Sequence, residues 1–283
     1  MKKKLLSTML LFGMMLFAVG CTNKSTNQGS NSNNASVSDN QGNQTAGTNE
    51  TTQEPVTILV AAAASMQPSL EEINALFEDE YNWITVEGTY DSSGKLQTQI
   101  EEGLDADIFL SAATKQMDAL KEETLVDEDS ILPLLENKVV LIVPQAVESN
   151  VTSFDDILDA DNIAIGDPAS VPAGQYAKEI FENLGIYSEV EAKASLGTNV
   201  TEVLNWIAEG SADAGVVYAT DAATTDQVLV VTEAPEGTLA NPVIYPIGIV
   251  SASQKKDAAN LYVDFLQSEQ VKEIFETYGF VTK

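Results

Sequence analysis

A chain of 283 residues with 43 Asp and Glu against 14 Lys and Arg carries a formal net charge of −29, which argues against a nucleic-acid partner and against electrostatic adhesion to anionic lipid. It has no histidine and one cysteine, so a Ser-His-Asp or Cys-His catalytic arrangement, a histidine metal site and an internal disulfide framework are excluded. Its length leaves room for a sizeable core in one or two domains.

Lys2, Lys3 and Lys4 precede an apolar run from Leu5 to Val19, the length of a signal h-region and short for a membrane span. Residues 1–20 are therefore expected to be a signal peptide and the chain to be exported. Ala18-Val19-Gly20-Cys21 resembles the lipobox of bacterial lipoproteins, with Ala18 where Leu is usual. That resemblance implies cleavage before Cys21, its acylation and anchoring to the outer face of the cell membrane. Ordinary secretory cleavage, leaving a free thiol, is the alternative. From Thr22 to Pro55 the chain is almost entirely Asn, Ser, Thr, Gln and Gly, which offers nothing to offset the entropy of ordering. Residues 21–55 thus read as a disordered tether of roughly 30–35 Å end to end, or as a passive stalk.

The body opens with a β-branched strand, Val56-Thr57-Ile58-Leu59-Val60, running through Ala61 to Ala64 into Ser65. A helix follows, with Pro68 in its first turn and Leu70, Ile73, Leu76 and Phe77 inward. Ile84-Thr85-Val86 leads past Tyr90 to Asp91-Ser92-Ser93-Gly94-Lys95, which opens a helix with Leu96 and Ile100 inward. Ala106 to Ala112 reads as a buried strand, followed by a short helix carrying Met117 and Leu120. A crossing is expected near Leu134 to Glu136, because Asn137 to Pro144 starts a fresh strand. Beyond it lie a helix near Phe154 to Leu158, a strand Ile163-Ala164-Ile165, and the junction Gly166-Asp167-Pro168-Ala169-Ser170-Val171-Pro172-Ala173-Gly174 ahead of a helix with Ala177, Ile180, Phe181 and Leu184 inward.

Gly197-Thr198-Asn199-Val200 opens another helix, with Val203, Leu204 and Ile207 on one face. Ala214 to Tyr218 and Val228 to Val231 are further strands. Pro235 to Pro242 reads as the return crossing, Val243 to Val250 as a strand, and two amphipathic helices close the chain. Strands alternating with helices predict an α/β fold: two lobes, each a mainly parallel sheet flanked by helices, with two hinge crossings. The expected boundaries are 56–135 plus 243–283 for lobe 1 and 136–242 for lobe 2.

Strand ends that run into helix starts are where open α/β sheets collect ligands. Here those ends carry Ser, Thr, Gly and Ala, and the only cation beside a serine-rich junction is Lys95. Such a site is neutral and rich in donors. It suits a small, fully deprotonated oxyanion, which only accepts hydrogen bonds. Each junction taken alone is also an ordinary capped turn.

Ala61 to Ser65, Tyr90-Asp91-Ser92-Ser93-Gly94, Ala106 to Ala112, Gly166-Asp167-Pro168 with Val171-Pro172-Ala173-Gly174, Gly215-Val216-Val217-Tyr218 with Asp221, and Tyr278-Gly279-Phe280 occur in this order. Together they resemble the molybdate-binding protein of bacterial ABC importers, over essentially Val56 to Lys283. The resemblance implies a class II periplasmic-binding-protein fold holding one tetrahedral oxyanion, molybdate or tungstate, between the lobes. Position by position it implies that Ser65 and Ser93 supply hydroxyl and backbone donors, Ala173 and Val200 supply backbone N–H groups, and Tyr218 supplies its phenol. No cofactor, no catalytic residue and no direct cation ligand are implied. The partners would be the anion, an ABC permease and, through Cys21, the membrane, with the protein a monomer.

Two positions depart from the family pattern: Asp91 stands where a small neutral residue is usual, and Gly94 where a third serine is frequent. An inward Asp91 would repel a dianion or accept a proton from hydrogenphosphate; the expectation is that it faces away. Within the same class the alternative ligand is sulfate or phosphate. From other classes the alternatives are a structural surface lipoprotein and an exported enzyme. An enzyme would need an acid/base pair, and the positional candidates Asp107, Asp167, Asp213 and Asp221 are more simply turn or capping carboxylates.

Overall fold

The run Val56-Thr57-Ile58-Leu59-Val60 forms, in a computed structural model that describes residues 53–282, the first half of β1 (Val56–Ala63). The expected signal peptide, Cys21 and the tether up to Thr52 lie outside the described residues. β1 passes through a 3₁₀ turn (Ala64–Met66) into α1 (Gln67–Glu80), where Pro68 occupies the first turn and Leu70, Ile73 and Phe77 are buried. Then come β2 (Ile84–Asp91), α2 (Ser93–Glu101), β3 (Ile108–Leu110), α3 (Thr114–Glu122) and β4 (Leu132–Asn137).

After Lys138 the chain continues as β5 (Val139–Pro144), β6 (Ile163–Gly166), α4 (Pro172–Leu184), α5 (Tyr187–Lys193) and β7 (Ala194–Gly197). α6 (Val200–Ala208), β8 (Ala214–Tyr218), α7 (Ala219–Ala222) and β9 (Val228–Glu233) complete this part. β10 (Val243–Ile249), α8 (Lys256–Leu266), α9 (Glu269–Thr277) and β11 (Val281–Thr282) end the chain.

The strands form two sheets, ordered β11-β4-β10-β3-β1-β2 and β7-β6-β8-β5-β9, with helices against them. The expected α/β class holds. The sheets, however, are mixed where mainly parallel ones were expected. β1 is parallel to β2 and β3, and β6 to β7 and β8, whereas β10 runs against β3 and β4, and β5 against β8 and β9. The reason is connectivity. Parallel neighbours need a crossover, usually a helix, but the chain passes from sheet to sheet through Lys138 and through residues 234–242 without one, so the strands it enters there run the other way.

Asn137 is the last residue of β4 rather than the first of a fresh strand, paired with Val243 of β10. The helix expected near Phe154 to Leu158 is reduced to a 3₁₀ turn (Ile157–Asp159). Phe154 and Ile157 are still buried, but Thr152, Ser153 and Asp156 bond one another locally, which gives the backbone an alternative to a helix. Four buried or half-buried rings tie the sheets together. Tyr176 of α4 lies 6.4 Å from Tyr218 of β8, Tyr218 lies 5.6 Å from Tyr245 of β10, and Tyr245 lies 5.5 Å from Phe280, all in edge-on contacts.

Candidate functional site

The carboxyl ends of β1, β2, β3, β6, β7 and β8 bring their last or following residues to one small cavity, lined by Ala63, Ala64, Ser65, Asp91, Ser92, Ser93, Ala112, Val171, Pro172, Ala173, Val200 and Tyr218. All five residues expected to hold the ligand, Ser65, Ser93, Ala173, Val200 and Tyr218, line it. A larger hollow of about 390 Å³ along residues 233–243 is open and flanked by Glu136, Lys138, Glu233 and Glu236, without the convergence of helix starts.

Three helices begin here. Ser93 is the first residue of α2, Ala173 the second of α4 behind Pro172, and Val200 the first of α6. The first N–H groups of a helix have no intrahelical acceptor, and the positive ends of the three dipoles add a field that favours negative charge. α4 is held close to its strand by glycine. A Cβ on Gly174 would sit 2.0 Å from the carbonyl oxygen of Gly166, at the end of β6. At the start of α6, Asn199 caps the helix by accepting from the N–H of Glu202, which leaves Val200 nearest the cavity.

The hydroxyls are set by their neighbours. Ser93 Oγ accepts from the N–H of Ala112 at 2.9 Å, so its own hydrogen is available to another acceptor. Ser65 Oγ lies 3.0 Å from the hydroxyl of Tyr245. Tyr218 reaches the carbonyl of Ala112 at 3.4 Å, a long contact that leaves its hydrogen weakly held. Burial pushes the Tyr218 phenol well above its ordinary value, with Tyr245, Tyr176 and Asp221 adding to the effect, so it stays a donor. Ser92 Oγ is buried and has no hydrogen-bond partner.

Only one lining residue is charged. The carboxylate of Asp91 accepts from the N–H of Ser92 at 2.7 Å and from Lys95 Nζ at 3.1 Å and 3.4 Å. Its charge is therefore matched by Lys95 in the first turn of the helix that follows. Beneath the site Asp221 accepts from the N–H of Tyr218, and burial raises it to about 7 against the pull of backbone hydrogen bonds.

The remaining carboxylates suspected of acid/base chemistry serve the backbone. Asp107, buried at the start of β3, accepts from the N–H of Leu59, from Ser253 Oγ and from Lys255 Nζ. Asp167 accepts from the N–H of Ala169, and Asp213 from the N–H of Asn162. Sequence reasoning missed Ser92, which the serine pair could have suggested. It also missed Tyr245 and Asn137, which no local pattern distinguishes from core and strand-end residues.

The walls are joined directly across the cavity. The N–H of Gly94 donates to the carbonyl of Ser170 at 2.9 Å, and Gln116 Nε2 of α3 donates to Gln175 Oε1 of α4 at 3.2 Å.

Residues 58–281 match the family of bacterial extracellular solute-binding proteins. A Bacillus subtilis protein named "Putative ABC transporter substrate-binding lipoprotein YvgL" is 39% identical over 82% of this chain and 88% of its own. The molybdate-binding protein ModA of Haemophilus influenzae is 34% identical over 80% of this chain and 90% of its own. Among solved structures, the "substrate binding domain of putative molybdenum ABC transporter from Clostridium difficile" superposes with a TM-score of 0.63 at 36% identity, covering 81% of this chain and 99% of that one. These relatives bind solutes for transporters and are not enzymes.

Proposed function

The chain belongs to the bacterial extracellular solute-binding proteins, and from that premise we propose that it captures molybdate or tungstate and delivers the anion to an ABC permease. The observation that carries this reading is the convergence of Ser65, Ser93, Ala173, Val200 and Tyr218 on one small cavity whose only charged lining residue, Asp91, is paired with Lys95. A dianion there meets hydroxyl and backbone donors and three helix starts, each charge-assisted bond contributing roughly 1.5–3 kcal/mol.

In this reading the two sheets are the cores of two lobes, divided at Lys138 and residues 234–242 instead of at 135/136, since Glu136 and Asn137 pair with β10 in the first sheet; the lobes close on the ligand about these crossings. Oxyanions of equal charge differ in size, so fixed donors distinguish them by reach. The lipobox-like stretch supports an acylated Cys21 that holds a monomer at the outer face of the membrane, beside its permease.

Isothermal titration of the ligand-stripped protein with molybdate, tungstate, sulfate and phosphate in turn tests this. Tight one-to-one binding of molybdate or tungstate alone is expected. Preference for sulfate or phosphate moves the ligand while keeping the transport role, and heat from none of the four sinks the reading.

A further inference from the structure

The crossing between the sheets contains a hydrogen-bond chain whose direction is fixed at its Asn137 end. Asn137 Oδ1 faces the N–H of Lys138 at 2.8 Å. A backbone N–H can only donate, so this contact fixes which end of the amide is oxygen. The amide nitrogen then points the other way, donating to Thr220 Oγ1 at 2.9 Å and to the hydroxyl oxygen of Tyr245 at 3.1 Å. Burial holds the Tyr245 phenol well above its ordinary value, so it keeps its proton. That proton cannot go back to the amide nitrogen, which has no lone pair to offer. It goes to Ser65 Oγ, 3.0 Å away. Ser65 Oγ therefore accepts from Tyr245, and its own hydrogen is turned to the cavity.

We propose that Asn137 and Tyr245 are positioning residues that fix Ser65 as a hydrogen-bond donor to the ligand, and that this relay sets the selectivity for fully deprotonated oxyanions over protonated ones. The proposal rests on the oxyanion reading of the site. Neither Asn137 nor Tyr245 needs to touch the anion, because both act through Ser65. Hydrogenphosphate carries an O–H that must be accepted, and Ser65, with a lone pair occupied and its hydrogen directed at the ligand, meets it donor to donor. Ser93 is set in the same sense by the N–H of Ala112, so both serines present hydrogen. Asn137 also closes the strand at which the chain leaves the first sheet, and Thr220, its other partner, sits in α7 beside the second. The relay is thus built into the crossing itself.

The test compares the full chain with Tyr245→Phe and Asn137→Asp, titrated with molybdate, sulfate and hydrogenphosphate at pH 8. Tyr245→Phe frees the Ser65 hydroxyl to rotate. It should weaken molybdate and sulfate in parallel by about threefold to tenfold, the worth of one neutral hydrogen bond, while hydrogenphosphate weakens less or gains. Asn137→Asp keeps the acceptor for Lys138 but turns the amide donor into an acceptor, so the Tyr245 proton reverses and Ser65 must donate to Tyr245 instead. It should weaken molybdate by about tenfold or more and lower the molybdate-to-hydrogenphosphate ratio further. Equal losses for all three anions, or a Tyr245→Phe affinity within twofold of wild type, overturn the relay. If Asn137→Asp does not fold, Tyr245→Phe decides, since it adds no charge. A wild-type protein that binds none of the anions overturns the oxyanion reading, a result distinct from wild-type binding that Tyr245→Phe leaves unchanged.

Discussion

Gly94 and Ser170 meet across the cavity: the N–H of the one donates to the carbonyl of the other at 2.9 Å, joining the start of α2 to the loop that enters α4. A Cβ on Gly94 would lie 2.4 Å from that carbonyl oxygen and 2.8 Å from the Cα of Ser170, both backbone atoms that cannot swing aside. While this contact is made, position 94 has no room for a side chain.

Gly94→Ala should therefore act on closure and not on folding. Alanine is the better helix former by roughly 0.5–1 kcal/mol, so thermal stability without ligand should hold or rise. On the proposed reading molybdate affinity should fall by about tenfold or more, because closure loses the Gly94–Ser170 contact. Small-angle scattering with and without ligand checks this; a variant that still compacts fully on adding molybdate at wild-type affinity sinks the idea.

Ser93→Ala removes a donor of the proposed site and also the acceptor of the Ala112 N–H. Leaving that buried N–H unpaired costs about 1–3 kcal/mol even without ligand. Both the ligand-free melting temperature and the affinity should drop. In Ser65→Ala the orphaned group is the Tyr245 hydroxyl, which still receives a hydrogen bond from Asn137, so the affinity loss should exceed the stability loss. Paired melting and titration series on the two variants distinguish these patterns.

Asp221 predicts a pH dependence of stability. Its folded value is raised from 3.8 to about 7, so between those values the native chain holds a proton that the unfolded chain has released. Stability is then greatest at the acid end of this window and declines as pH rises toward and through 7, by an amount on the order of a few kcal/mol. Asp221→Asn keeps an oxygen for the N–H of Tyr218 and removes the titration. Urea unfolding from pH 5 to pH 8 should show a falling midpoint for wild type and a flatter one for the variant.

Asp107 separates scaffold from site. Its three partners converge at the amino end of β3, the opposite end from the cavity. Asp107→Ala orphans the N–H of Leu59 and the ammonium of Lys255, and should cost about 2–3 kcal/mol of stability. Anion affinity, measured well below the melting temperature, should stay within about twofold; a tenfold loss would contradict the separation.

Local chemistry in the sequence singled out most of the residues that line the candidate cavity. Ser65, Ser93, Ala173 and Val200 each stand where an apolar strand gives way to an apolar helical face, and both patterns are visible within a dozen residues. Tyr218 was reached only by resemblance, since a strand-end tyrosine is usually a core ring with its hydroxyl at the rim. Asn137 and Tyr245 were out of reach for a different reason. Their partners lie 83 and 108 residues from Asn137, and 180 residues separate Tyr245 from Ser65, so nothing nearby signals the pairing. The mixed sheets were missed because alternation of strand and helix fixes direction only where a crossover intervenes, and the two passages between sheets have none.

The contact between Gly166 and Gly174 bears on how such a site can change its ligand. α4 rests on the end of β6 backbone to backbone, and the Ala173 donor it carries is itself a backbone N–H. No side-chain substitution can move that donor inward without driving main chain into main chain, and none can delete it short of proline. That wall is a fixed template. If the proposed site holds the anion, a shift in preferred anion reached by point mutation has to arise on the opposite wall, from Ser65, Ser93 and the groups proposed to aim their hydroxyls, or from Tyr218.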